Sequence, residues 1–241
     1  MSKCLTNTTN IQKFTQKEGL FDISFTESLS IAFYINLIYL FWRGEMVLAL
    51  DIGGSNIRIA EVNGVHLANK KMMKTPKTKK QILESVIDLI SSYKNKEIIC
   101  IATAGFERDG KIIHALNMDF NDIALKGILQ KKFNAKVYVE NDANCAGLAE
   151  LHHGVGRGKN NFVLLTLGTG IGGAVIIDKE LYRGNGGAGE IGSMIMSRCF
   201  SNNSLHLEHP KVHTKRKDFL ICHDIFEHLA SGSASVKIAH E

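Results

Sequence analysis

Two glycine-rich turns, each set directly behind an apolar, strand-like run, constrain this chain more than any other feature. The first is Asp51-Ile-Gly-Gly-Ser-Asn-Ile-Arg58, following Val47 to Asp51; the second is Leu167-Gly-Thr-Gly-Ile-Gly-Gly173, following Asn161 to Leu167. Paired glycines leave backbone N–H groups uncovered by any Cβ, so the chain can approach an anion closely. Two such strand exits in one chain point to two α/β halves gripping one polyphosphate. Of 22 glycines, 13 fall between Gly147 and Gly192, which singles out that stretch. Neither turn fits G-x-x-x-x-G-K-[ST], and the second leads into a strand rather than a helix, so a P-loop NTPase and a Rossmann dehydrogenase are poor fits.

Around the turns, strand and helix patterns alternate. Val47–Asp51 and Ile57–Val62 read as a hairpin about Gly53-Gly54. Apolar residues from Ile82 to Tyr93 recur at helical spacing, predicting an amphipathic helix over 78–93. Ile98–Ala102 reads as a buried strand, Ile123–Phe133 as a helix and Val137–Val139 as a strand. Asp142–His152 reads as a helix whose first residue sets a carboxylate at the positive end. Asn161–Leu167 and Gly173–Ile177 close the series as β-rich runs, making this an α/β chain. The lysine run of Lys70, Lys71, Lys74, Lys77, Lys79 and Lys80 reads as a solvated loop and helix start.

Composition narrows the function classes. The 29 Lys+Arg against 24 Asp+Glu leave a formal charge of +5, too mild for a nucleic-acid binder in the absence of an aromatic-interleaved basic stripe. Five cysteines without any C-x-x-C pair argue against a disulfide framework and for a reducing, cytoplasmic setting. Residues 1–45 form an N-terminal extension of separate character. Its apolar run, Leu29 to Trp42, is about 14 residues long, short of the ~20 that span a bilayer, so a membrane anchor is disfavoured. Met46 stands immediately before the first strand, at a natural start.

Between the turns lies Val139-Glu-Asn-Asp-Ala-Asn-Cys-Ala-Gly147. Three consecutive polar residues, Glu140, Asn141 and Asp142, at a strand-to-helix junction are costly to bury without partners, so they face solvent or a ligand. A helix cap accounts for part of the pattern. The alternative is a site in which Asn141 binds a sugar hydroxyl and Asp142 accepts a proton from an attacking alcohol.

Asp51-Ile-Gly-Gly-Ser-Asn, Glu140-Asn-Asp-Ala-Asn-Cys-Ala, Leu167-Gly-Thr-Gly-Ile-Gly-Gly and Gly187-Ala-Gly-Glu-Ile-Gly192 occur in order, and together they resemble the ROK family of sugar kinases and sugar-responsive repressors. The resemblance covers about Met46 to Glu241. It implies the actin-like ATPase (ribonuclease H-like) fold, here with a first α/β domain over 46–141 and an incomplete second domain over 142–241. It implies ATP and Mg²⁺ as cofactors, with Asp51, Gly53, Gly54, Ser55 and Asn56 in the first phosphate motif and Thr169 and Gly170 in the second. For a hexose it implies Gly105, Asn117, Asn141, Asp142, Glu190 and Glu227, with Asp142 as general base in phosphorylation of the primary hydroxyl. Rival functions are a non-catalytic sugar-binding remnant and a sugar-responsive regulator, and a homodimer is a further expectation of the family. The family's sugar- and zinc-contacting His is Ser193 here, and its three close cysteines are absent. Cys199 and Cys222 bracket instead a loop with His206, His209 and His213, followed by His223. With Lys211, Lys215, Arg216 and Lys217 in the same stretch, a solvated loop without metal is the expectation.

Overall fold

The computed structural model describes residues 46–63, 66–115, 118–167, 170–200 and 221–225, the last two ranges as backbone alone from residue 195 onward. Val47–Ile52 forms β1, buried along its whole length. The chain turns at Gly53-Gly54 and returns antiparallel as β2 (Asn56–Asn63), placing Leu50 opposite Ile59 and Asp51 opposite Arg58. β3 (His66–Lys74) adds antiparallel to β2. Helix α1 (Lys79–Ser91) then carries the chain over the sheet so that β4 (Ile98–Thr103) can lie parallel to β1. A short hairpin, β5 (Phe106–Arg108) and β6 (Lys111–His114), and helix α2 (Leu125–Phe133) lead to β7 (Lys136–Asn141), parallel to β4. The resulting sheet has the order β3-β2-β1-β4-β7.

Alternation along the strands sorts side chains to two faces. Leu48, Leu50, Ile52, Ile99, Ile101 and Val137 face Ile82, Val86 and Ile90 of α1 and Leu125 and Leu129 of α2, forming the main core. Each fully buried aliphatic side chain there contributes about 1.5–3 kcal/mol of transfer free energy. Thr78 caps α1, its Oγ1 accepting from the Gln81 N–H at 3.4 Å and donating to Gln81 Oε1 at 3.0 Å. The opposite face of β4 is small, with Cys100 and Ala102, and receives Cys145 of α3 (Asp142–His152).

Helix α3 also builds the second layer. β8 (Phe162–Leu167), β9 (Ile171–Ile177) and β10 (Glu180–Leu181) form an antiparallel sheet of order β10-β9-β8. Leu148 and Leu151 of α3 pack on Ala174, Ile176 and Leu181. The contact is close because the facing residues are small: a Cβ on Gly147 would lie 2.4 Å from that of Ala174, and one on Gly172 would lie 3.0 Å from that of Ala143. The other face of β8 stays in water, with Val163, Leu165 and Leu167 exposed by 56%, 44% and 68%. A single 3-10 turn at Ile191–Ser193 precedes β11 (Ile195–Phe200), which pairs antiparallel with β12 (Ile221–Ile225).

Two sequence expectations change. Lys70, Lys71 and Lys74 belong to strand β3 rather than to a loop; β3 is a sheet edge, where lysines are tolerated and discourage further pairing. Helix α2 starts at Leu125, because Ile123 is taken by a β-bridge to Ile112. Cys199 and Cys222 stand opposite each other in the β11–β12 register, although 22 residues separate them; His206, His209 and His213 lie outside the described residues.

Candidate functional site

The parallel strands β1, β4 and β7 end in register: Ile52 is opposite Thr103, and Thr103 opposite Asn141. Their carboxyl ends therefore open at one edge of the sheet, where ligands bind in open α/β folds. Three chain exits meet there: the Gly53-Gly54 turn, Ala104-Gly105, and the start of α3 at Asp142.

Asp51, the last residue but one of β1, is 3% exposed and bonded at 2.8 Å to Arg58 Nη1. Burial pushes its carboxyl up to about 6, Arg58 pulls the other way, and the charge of Asp142 adds a small upward push. Beyond it, the turn closes through Gly53 N–H to the Asn56 carbonyl at 3.0 Å, and Thr75 clasps it, donating Oγ1 to the Gly53 carbonyl at 2.6 Å and N–H to the Ser55 carbonyl at 3.1 Å. Gly54 and Ser55 are exposed, and their N–H groups donate to no acceptor among the described residues.

At the α3 start, Asn141 is the N-cap, its Oδ1 accepting from Asn144 N–H at 3.0 Å. Its Nδ2 donates to the Gly105 carbonyl at 3.0 Å. Gly105 has φ +108°, and a Cβ there would sit 2.4 Å from the His114 carbonyl oxygen, so the tight exit of β4 requires glycine. Asn141 thus braces the strand end against the β4 exit, and its second amide hydrogen makes no bond among the described residues. Asp142 accepts from the Ala143 N–H at 2.8 Å, and burial raises its carboxyl above the ordinary value while the two backbone donors, Ala143 and its own N–H, oppose the rise.

Glu190 follows the glycine segment 184–189. A Cβ on Gly189 would meet the Gly173 carbonyl oxygen at 2.2 Å and Asn144 Oδ1 at 3.2 Å, so this segment is pressed onto β9 and the first turn of α3. Gly170 lies just before β9, where Leu167 pairs with Ile171. Asn117, Thr169 and Glu227 lie outside the described residues. The structure therefore gathers Asp51, Gly53, Gly105, Asn141 and Asp142 at one edge and brings the Glu190 segment to α3.

Sequence reasoning missed four partners. Arg58 was hidden by one residue, since a hairpin centred on Gly53-Gly54 would pair 51 with 56, whereas the register centres between Gly54 and Ser55 and pairs 51 with 58. Glu140 stood out within the polar cluster but not as the partner of Arg183, and Thr75 and Arg183 carry no local signal; Arg183 meets Glu140 across 43 residues. Among the described residues no group of three His, Cys, Asp or Glu side chains is close enough to hold a metal, and no helix is long and apolar enough to cross a membrane.

The chain matches the ROK family model over residues 47–234. It is 40% identical over 159 residues to an uncharacterized protein of Clostridium perfringens, covering 61% of this chain and 54% of that one. It is 34% identical over 159 residues to a glucokinase of Halalkalibacterium halodurans, covering 60% and 48%. A xylose repressor of Bacillus subtilis is 39% identical over 89 residues, covering 36% and 23%. Among solved structures, a ROK family glucokinase from Streptomyces griseus in complex with glucose and AMPPNP superposes with TM-score 0.63 at 29% identity, covering 81% of this chain and 60% of that one. The chain spans about half the length of the curated relatives it matches. The α/β architecture described above is thus the actin-like ATPase fold of these sugar kinases.

Proposed function

The chain belongs to the ROK family, and from that premise we propose that it carries the phosphoryl-transfer site of a hexose kinase, phosphorylating glucose or a related sugar at its primary hydroxyl with ATP. The observation that supports this reading best is the pair of desolvated carboxylates, Asp51 at the end of β1 and Asp142 just past the end of β7, on the same edge of the sheet with β4 between them and an open glycine turn beside Asp51. Asp142 takes the proton from the primary hydroxyl as that oxygen attacks the γ-phosphorus and the bond to the bridging oxygen of ADP breaks. Burial raises the proton affinity of Asp142 and so suits it to that task. The free N–H groups of Gly54 and Ser55, with Thr169 and Gly170 from the second turn, receive phosphate oxygens. Asn141, Gly105 and Glu190, with Asn117 and Glu227, orient the sugar, and this positioning supplies much of the rate.

The donor set fits a divalent cation: Asp51 is a buried carboxylate whose one charged hydrogen-bond partner among the described residues is Arg58, and burial outweighs that partner. Asp51 would hold Mg²⁺, which when bound neutralises charge on the phosphate oxygens. The domain division at 141/142 and a cytoplasmic setting, with Cys100 and Cys145 both free, belong to the same reading.

The test is an ATP-to-ADP assay on the full chain across glucose, N-acetylmannosamine, N-acetylglucosamine and fructose, with Asp142→Asn as control. Turnover with one hexose, falling about 10²–10⁴-fold in Asp142→Asn, is the expected result; turnover that survives the substitution removes the assigned base. A second reading, a sugar-binding remnant or sugar-responsive regulator, draws on the xylose repressors among the relatives and on the half-length coverage. It is favoured by sugar-dependent thermal stabilisation without ADP formation.

A further inference from the structure

We propose that Arg183 is a positioning residue for the hexose, holding the Glu190 segment in register with the Asn141–Asp142 junction through Glu140; the proposal rests on the kinase reading above. Glu140 is the last residue but one of β7 and directly precedes Asn141, the N-cap of α3, and its side chain is 14% exposed. Its two oxygens do different work. Oε1 accepts from Asn141 N–H at 3.0 Å and from Asn144 Nδ2 at 2.9 Å, so it fixes both the junction and the first turn of α3. Oε2 accepts from Arg183 Nε at 2.8 Å and Arg183 Nη2 at 2.6 Å, a two-pronged contact to a single oxygen.

The other end of Arg183 organises the loop. Its carbonyl accepts from Gly186 N–H at 2.8 Å and Ala188 N–H at 3.2 Å, closing the turn from which the chain runs through Gly187 to Glu190. The loop is braced a second time by Arg108 Nη1 on Asn185 Oδ1 at 3.1 Å and by Phe106, which a Cβ on Gly186 or Gly187 would meet at 3.1 or 3.0 Å. One residue therefore ties two segments, 43 positions apart, whose polar groups face the same substrate. The guanidinium is half exposed, at 52%, and a surface ion pair of that exposure contributes little to global stability. Its partner, however, is largely buried and bonded to the site, so the loss of Arg183 falls on geometry at the junction rather than on the fold. The pair also walls a cavity of about 400 Å³ shared with Glu107, Arg108 and Lys126, which gives water access to Glu140 once the clasp is opened.

The experiment compares wild type, Arg183→Ala and Arg183→Lys for hexose KM and kcat, hexose Kd by calorimetry, and melting temperature. The expected result for Arg183→Ala is a hexose KM and Kd raised about tenfold, a smaller change in kcat, and a melting temperature within about 2 °C of wild type. Arg183→Lys, which restores charge but not the two-pronged contact, should recover only part of the affinity. An Arg183→Ala protein that binds hexose as wild type does overturns the proposal and leaves the kinase reading standing. If Arg183→Ala fails to fold, unchanged hexose KM or Kd in Arg183→Lys overturns it equally. Wild-type protein that neither binds nor turns over any hexose removes the kinase reading, and the proposal with it.

Discussion

Asp51→Asn should change how stability depends on pH. Asp51 is 3% exposed, and burial raises its carboxyl from 3.8 to about 6 despite Arg58. The folded state therefore holds this proton to higher pH than the unfolded chain does. Stability from this group is complete below pH 3.8, declines as pH rises, and is lost once pH passes about 6. At 1.36 kcal/mol per pH unit the interval amounts to about 3 kcal/mol. Asparagine has nearly the same shape and no such titration. Losing the charge pair with Arg58 contributes an offset, so the diagnostic quantity is the slope of the difference between the two proteins. Urea denaturation of both from pH 3.5 to 7.5 should show Asp51→Asn gaining on wild type by about 3 kcal/mol as pH rises. A difference that stays flat within 1 kcal/mol, or moves the other way, refutes the desolvation argument for Asp51.

Two glycine substitutions test the packing around α3. Gly147→Ala puts a methyl 2.4 Å from the Ala174 Cβ; overpacking of about 1–3 kcal/mol outweighs the roughly 1 kcal/mol gained in helix propensity, and adding Ala174→Gly should recover the loss in a denaturant double-mutant cycle. Gly105→Ala, at φ +108° and 2.4 Å from the His114 carbonyl oxygen, should cost about 2–4 kcal/mol by urea denaturation and weaken hexose binding in proportion to the displaced Gly105–Asn141 bond.

What the chain revealed before its structure followed from local chemistry. Val47–Ile52 and Ile98–Thr103 are continuous apolar runs because each is covered on both faces, and Gly53-Gly54 interrupts the first at the turn. Ile82, Val86 and Ile90 announce α1 by their helical spacing, because they are the face it buries. β3 was hidden because an edge strand with one solvated face and lysines on it has no apolar alternation to read. The polar residues at 140–142 were visible as a cluster, yet their partners were not: Glu140 accepts from Arg183, and Asn141 donates to the Gly105 carbonyl, across 43 and 36 residues. Such pairings are decided by tertiary geometry, which spacing along a chain does not encode.

The bare face of β8 has a consequence for the protein in a cell. Val163, Leu165 and Leu167 present a short, regularly spaced hydrophobic strip on an edge strand. That is the kind of surface on which holdase chaperones and quality-control proteases act when it stays open. What covers that strip therefore bears on how much of the protein escapes such quality control.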